Sequence, residues 1–142
     1  MKVADQQLLN ACYFGNCQQV VKWLKAGGNP NYMEERDGWL PIHYAARWGD
    51  IPMLYALIRF GADIDGKTNS NETALHKAAR WDRYQAAIIL LRRGASPTVK
   101  NGDGNKPSDM TQDQEVLNTH YNCVTNYLFS YHSFLSVKIH DE

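Results

Sequence analysis

Two blocks of sequence, one period apart, constrain the fold of this chain more than any other feature. Residues 37–48 read DGWLPIHYAARW and residues 70–81 read SNETALHKAARW, so a histidine, an alanine pair and an Arg-Trp pair recur after 33 residues. Gly-Ala pairs at 61–62 and 94–95 recur at the same spacing. Self-similarity at a fixed period of this length indicates a solenoid, in which each unit buries its apolar side against the next unit.

Each block predicts a turn followed by a short helix. The Asp-Gly pair at 37–38 is a turn signal, and Pro41 suits the first helical position, where its missing N–H costs nothing. Apolar residues within 53–58 then follow at helical spacing. The order of features in each unit resembles the ankyrin repeat over about residues 5–115. These features are a turn, Pro or Ala, His, an alanine pair, an apolar helix and Gly-Ala. The resemblance implies an all-α solenoid of antiparallel helix pairs joined by hairpin-like loops.

We expect one repeat domain followed by a separate C-terminal segment. The end repeats depart from the consensus, as is usual where one side of a solenoid meets water instead of a neighbour. The predicted boundaries are a domain at 1–121, made of a variant repeat at 1–32, central repeats at 33–66 and 67–100 and a partial repeat at 101–121, with the extra segment at 122–142.

The C-terminal segment permits two interpretations. Apolar residues from Leu117 to Leu135 recur every three or four positions, which favours a helix to about Phe134. Alternating residues at 127–131 and 135–139 also fit a strand. The segment either covers the open end of the last repeat or docks on a partner or a second copy of the chain.

Several single residues make local predictions. Asp5 is a candidate N-cap of the first helix, and Asp50 a candidate N-cap of the second helix of its repeat. Asn71 stands where the preceding repeat has glycine, and asparagine tolerates positive φ better than most residues. Asp82 replaces the glycine found at position 49, so we expect the turn between those two helices to differ.

Composition excludes some functions. Lys and Arg together equal Asp and Glu at 15 each, and this zero formal net charge argues against a general nucleic-acid or membrane-surface binder. The N-terminal residues contain no apolar run typical of a signal peptide, and no stretch approaches the roughly 18 apolar residues of a membrane span. Three cysteines without framework spacing favour reduced thiols, and therefore a cytoplasmic or nuclear location.

The histidines and cysteines do not predict a metal site. His43 and His76 lie one repeat apart, roughly 10 Å, which is too far to share an ion bound at about 2 Å. In ankyrin-like repeats this histidine braces the turns of neighbouring units. Cys12 and Cys17 have the spacing of half a zinc site, but they occupy apolar positions of the repeat and no second pair completes four ligands. We therefore expect neither a metal nor a cofactor.

No catalytic motif is present in the sequence. A phosphate-binding G-x-x-x-x-G-K-[ST] loop and a G-x-S-x-G elbow are both missing, and the carboxylates are scattered through turns and caps. We expect a protein that is not an enzyme.

Large aromatic and charged side chains remain once the residues that build the repeats are subtracted. In ankyrin-like proteins the turn tips and first helices line a concave recognition face. Trp, Tyr and Arg carry most of the binding energy at protein interfaces. The predicted partner-binding residues are Tyr13, Phe14, Arg36, Asp37, Trp39, Tyr44, Arg47, Trp48, Asn69, Ser70, Glu72, Lys77, Arg80 and Trp81.

Within this set we expect Phe14, Trp48 and Trp81 to form a ladder with one aromatic ring per repeat, and Trp39 to lie at a turn tip. The alternative is that each tryptophan packs between repeats and is mostly covered, as tryptophan usually is. An edge packed inside with an open face would combine the two. Acidic groups at Asp37 and Glu72 near the tips suggest charge complementarity with a partner.

The leading functional hypothesis is a non-catalytic module that binds another protein, as an adaptor, inhibitor or regulator. We expect a monomer, with dimerisation through the C-terminal segment as the alternative. A second hypothesis is nucleic-acid binding by the Arg and Trp side chains, which could neutralise phosphates and stack on bases. A third is that the chain is a subunit or fragment of a larger assembly.

Overall fold

The computed structural model describes residues 2–112 of the chain. These residues contain six α-helices, one short 3-10 helix and no strand, as expected for an all-α array. The remainder of the predicted fourth repeat and the C-terminal segment at 122–142 lie outside the described residues. The helices are α1 Val3–Tyr13, α2 Cys17–Lys25, α3 Pro41–Trp48, α4 Ile51–Arg59, α5 Ala74–Arg80 and α6 Tyr84–Arg92, followed by the 3-10 helix Pro107–Met110.

The second repeat shows how local sequence sets the helix ends. Pro41 is the first residue of α3, and Gly49 ends that helix in the left-handed conformation at φ 66°. Asp50 caps α4 as expected, because its Oδ1 accepts a hydrogen bond from the backbone N–H of Met53 at 3.0 Å. The two helices therefore lie antiparallel, joined by a two-residue turn.

The helices stack in two layers. The first helices α1, α3 and α5 pack in one row, and the second helices α2, α4 and α6 pack in another. Equivalent positions of the three repeats supply Leu8, Ile42 and Leu75, which are completely buried. Each such side chain stabilises the fold by about 1.5–3 kcal/mol relative to exposure. The spacing of these residues in the sequence is the repeat period itself.

Two buried histidines brace successive repeats, as predicted. His43 Nδ1 accepts the backbone N–H of Leu40 at 2.8 Å, so the neutral ring carries its proton on Nε2 and donates to the carbonyl of Gly66 at 3.0 Å. His76 repeats the arrangement with Thr73 and the carbonyl of Asn105. Burial lowers the pKa of His43 to about 4 and also lowers that of His76, which keeps both rings neutral.

One local prediction was wrong. Asp5 is not the N-cap of α1: it lies in the first turn, where its buried carboxylate accepts the backbone N–H of Asn29 at 2.7 Å and ties the helix to the following loop. The turn between α5 and α6 differs slightly from the turn between α3 and α4, as expected, because α5 ends one repeat position earlier and Arg83 makes no side-chain cap where Asp50 does. Asp82 itself adopts φ 53°, close to the 66° of Gly49, because an aspartate can enter the left-handed region. Asn71 takes φ 57°, as predicted.

Candidate functional site

Five aromatic rings form a continuous row across the first three repeats, on the face made by α1, α3, α5 and the loops before them. Ring centroids are 5.1 Å apart between Phe14 and Tyr13, and 5.8 Å apart between Tyr13 and Tyr44. The row continues at 4.8 Å from Tyr44 to Trp39 and at 6.4 Å from Trp39 to Trp81. These separations are those of favourable aromatic pairs. We call these five residues the aromatic row.

The row takes a different path from the predicted ladder. Trp48 is not one of its members, because the indole lies against Gly15 and its Nε1 donates to the carbonyl of Cys12 at 3.1 Å. These contacts join the second repeat to the first. Even so, the side chain stays 43% exposed. Trp48 therefore has its edge packed and the rest of its surface open, which is the intermediate outcome between a covered and a free ring.

The repeat register explains how aromatic and charged groups meet. Trp39 and Glu72 occupy the same position of successive repeats, 33 residues apart, and so do Tyr44 and Lys77. In the second repeat these two positions hold an aromatic pair, and in the third an ion pair. Stacking brings the pairs together, so that Lys77 Nζ lies 3.9 Å from the ring centroid of Trp39. This distance is typical of a cation–π contact.

Glu72 is internal to the protein, which corrects its predicted role as a free acid at a turn tip. It is buried, and its carboxylate binds Lys77 and Arg80. Burial alone would raise the pKa of the Glu72 carboxyl, but the hydrogen bond and charge of Lys77, with those of Arg80, outweigh burial and lower that pKa. Its acceptors are therefore occupied by the fold.

Arg47 lies at the centre of the tryptophans. Its guanidinium carbon is 5.2 Å from the ring centroid of Trp81, 5.5 Å from that of Trp48 and 6.0 Å from that of Trp39. The backbone carbonyl of Arg47 also accepts a hydrogen bond from Arg83 Nε at 3.0 Å. The side chain is thus held by ring faces, and its backbone is joined to the next repeat.

An open cavity of about 360 Å³ adjoins the aromatic row between α1 and the loop before α3. At its rim Arg36 Nη2 contacts Asp37 Oδ2 at 3.0 Å, and both side chains are exposed. The carboxylate of Glu34 accepts the backbone N–H groups of the same two residues at 2.7 and 2.8 Å. The cavity is lined by Gln6, Leu9, Asn10, Tyr13, Glu34, Arg36, Asp37, Trp39, Tyr44 and Arg47.

The structure sorts the predicted partner-binding residues into three groups by exposure. Three of them, Tyr44, Glu72 and Lys77, are buried, so they shape the surface more than they offer contact area. Asn69 joins the loop tips, because its backbone N–H donates to the carbonyl of Asp37 at 3.1 Å. The exposed members are Tyr13, Phe14, Arg36, Asp37, Trp48, Asn69, Ser70 and Arg80, and the partly exposed members are Trp39, Arg47 and Trp81.

Sequence reasoning missed the polar lining of the cavity on α1 and in the first long loop. Gln6 and Asn10 line it from α1, and Glu34 lines it from the loop. One signal was present: Asn10 precedes Tyr44 by 34 residues, the offset that relates the first repeat to the second. The register therefore placed Asn10 beside the aromatic row.

Cys12 belongs to the packed core of the first repeat. Burial, with a smaller contribution from Cys17, raises the pKa of the Cys12 thiol to about 12, which makes it unreactive. Within residues 2–112, no three His, Cys, Asp or Glu side chains converge as a metal site would require. No helix in the same part of the chain is long and apolar enough to cross a membrane.

Comparison with known proteins agrees with this architecture. The family model for ankyrin repeats in three copies matches residues 8–101. The chain belongs to the ankyrin-repeat family. Ankyrin repeats generally mediate protein–protein interaction and are generally not catalytic.

Several ankyrin-repeat proteins are similar to this chain. "SH3 and multiple ankyrin repeat domains protein 1" of Homo sapiens is 38% identical over 107 residues, 75% of this chain and 5% of that protein. "Ankyrin repeat and SOCS box protein 2" of Bos taurus is 39% identical over 88 residues, 59% of this chain and 13% of that protein. "Alpha-latroinsectotoxin-Lt1a" of Latrodectus tredecimguttatus is 30% identical over 139 residues, 96% of this chain and 10% of that protein. The chain thus spans a small part of each relative.

Proposed function

We propose that this chain is a non-catalytic module that binds another protein through the concave face and loop tips of its ankyrin array. The observation that carries the proposal is the aromatic row beside an open cavity. The two rings that the first repeat contributes to the row, Phe14 and Tyr13, are 76% and 53% exposed. Exposed aromatic rings that the fold does not need carry a solubility cost, so they indicate a binding surface.

The character of the face fits a protein partner. Aromatic rings supply apolar area with little side-chain entropy to lose, and arginines add directional donors. Such a module acts as an adaptor, inhibitor or regulator, and the proposed location is the cytoplasm or nucleus, where its free thiols stay reduced.

The chain contains a matched control for testing this proposal. Tyr55 and Phe60, on and just after α4, are 43% and 41% exposed, so they offer the same two residue types on the second-helix layer. We compare the double variants Tyr13→Ser/Phe14→Ser and Tyr55→Ser/Phe60→Ser by quantitative pull-down from the native cell. Circular dichroism confirms that both remain helical.

The first variant should lose the proteins that the wild-type chain retains, and the second should keep them. Loss in the second variant alone would place the binding surface on the other layer. Retention by both would show that the aromatic row does not bind a partner.

A further inference from the structure

Arg47 differs from the other arginines near the aromatic row in having no acceptor for its guanidinium among the residues that the structure describes. Arg36 is paired with Asp37, and Arg80 with Glu72. Among residues 2–112, no side-chain or backbone oxygen accepts a hydrogen bond from the Arg47 side chain. What holds it instead is a set of three indole faces at 5.2–6.0 Å. Rings attract the cation but leave its N–H donors unused.

The charges around Arg47 do not balance. Three cations, Arg47, Lys77 and Arg80, meet on the Trp39 and Trp81 rings, and within residues 2–112 the carboxylate that binds in this cluster is that of Glu72. Glu72 is already bound by Lys77 and Arg80. The cluster therefore has an excess of positive charge that a carboxylate could neutralise. The chain as a whole has no net charge, so the excess is local.

Two other acids near the cavity bind their own loop and do not bind the Arg47 guanidinium. The Glu34 oxygens accept the backbone N–H groups of Arg36 and Asp37, and the Asp37 carboxylate is taken by Arg36. Both acids line the cavity, as Arg47 does. A carboxylate entering from the open side would meet a guanidinium whose planar fork suits two parallel hydrogen bonds.

We propose that Arg47 is the anchor for a side-chain carboxylate of the partner, carried on a peptide segment whose apolar groups lie along the aromatic row. This inference rests on the proposed function and names the chemistry that its site recognises. A charge-assisted pair next to indole faces is partly shielded from water, which strengthens it over an exposed surface pair.

The experiment selects ligands from a displayed library of random peptides using the full chain. The chosen peptide is synthesised with an acetylated N-terminus and an amidated C-terminus, so that only side chains carry carboxylates. Its affinity is measured by fluorescence anisotropy beside versions with each Asp changed to Asn or each Glu to Gln. Protein variants are Arg47→Met, which keeps an apolar stem on the rings, and Arg59→Met, the matched control at an exposed arginine of α4 outside the cavity.

One acidic residue of the peptide should contribute most to its affinity for the chain. Its amide version should bind the wild-type chain about 10- to 100-fold more weakly, the range expected for a hydrogen bond to a charged group. Arg47→Met should bind both versions equally at the weaker affinity, and Arg59→Met should keep the preference for the acid. If Arg47→Met fails to fold, Arg47→Lys serves instead and should lose most of the preference, because an ammonium lacks the planar fork.

The experiment distinguishes failure of the Arg47 anchor from failure of the proposed function. Peptides that lose binding to Tyr13→Ser/Phe14→Ser but show no carboxylate preference, or keep it in the Arg47 variant, would overturn the anchor and leave the proposed function intact. Failure to select any peptide that is sensitive to Tyr13→Ser/Phe14→Ser would count against the binding face itself, and the anchor would fall with it.

Discussion

Replacing Glu72 by Gln should destabilise the fold while removing only one charge. The variant leaves the ammonium of Lys77 buried without a carboxylate, and breaking a buried ion pair in this way costs about 3–5 kcal/mol. Two features of the structure put the value near the lower end. Arg80 is exposed and can turn to solvent, and Lys77 keeps its contact with the face of Trp39 at 3.9 Å. We expect a loss of about 3 kcal/mol in the free energy of unfolding.

Urea unfolding followed by circular dichroism measures this loss. Asp37→Asn is the control, because its carboxylate is exposed and, within residues 2–112, is paired only with Arg36, and it should change stability by less than about 0.5 kcal/mol. The double variant Glu72→Gln/Lys77→Met should recover most of the loss, because it removes the stranded cation. Glu72→Gln within about 0.5 kcal/mol of the wild type would refute the reasoning, and so would a double variant no more stable than the single.

Two further predictions concern stability. Because the pKa of buried His43 is lowered to about 4 while the unfolded value is near 6.5, the unfolded chain binds more protons below pH 6.5. Stability should therefore be full above that pH and fall by about 2 kcal/mol by pH 5, with His76 adding in the same direction; unfolding free energies that stay flat from pH 7 to 5 would contradict this. Asp82→Gly should raise stability by about 1 kcal/mol, because Asp82 holds φ 53° and its Oδ1 is buried without a partner among the described residues. A lower unfolding midpoint in that variant would show that the aspartate has a favourable role.

Most of the fold could be predicted from the repeat period, because each apolar position of the repeat is buried in the same environment in every repeat. Leu8, Ile42 and Leu75 recur at the repeat spacing and all three are completely buried. The role of Asp5 at the start of the first helix was harder to predict. Asp5 has the chemistry of a cap, but its carboxylate binds Asn29, 24 residues away, which local sequence does not show.

The candidate site was predictable in outline but not in its connections. Tyr13 and Phe14 were assigned to the recognition face from the register, and the structure leaves both exposed. The role of Glu72 could not be read from local sequence, because the register puts it in the position of Trp39 and its partners come from the following helix. An exposed acid at a turn tip and a buried acid beneath the turn occur in the same local sequence pattern. Only the packing of the folded chain distinguishes them.

The central claim, that the aromatic row binds a partner protein, is tested most directly by site-specific photo-crosslinking. p-Benzoylphenylalanine replaces Tyr13 in one chain and Tyr55 in another, since these tyrosines are 53% and 43% exposed and lie on different layers. The account predicts that position 13 crosslinks to a partner and that position 55 does not. Crosslinks from position 55 alone, or equally from both positions, would contradict it.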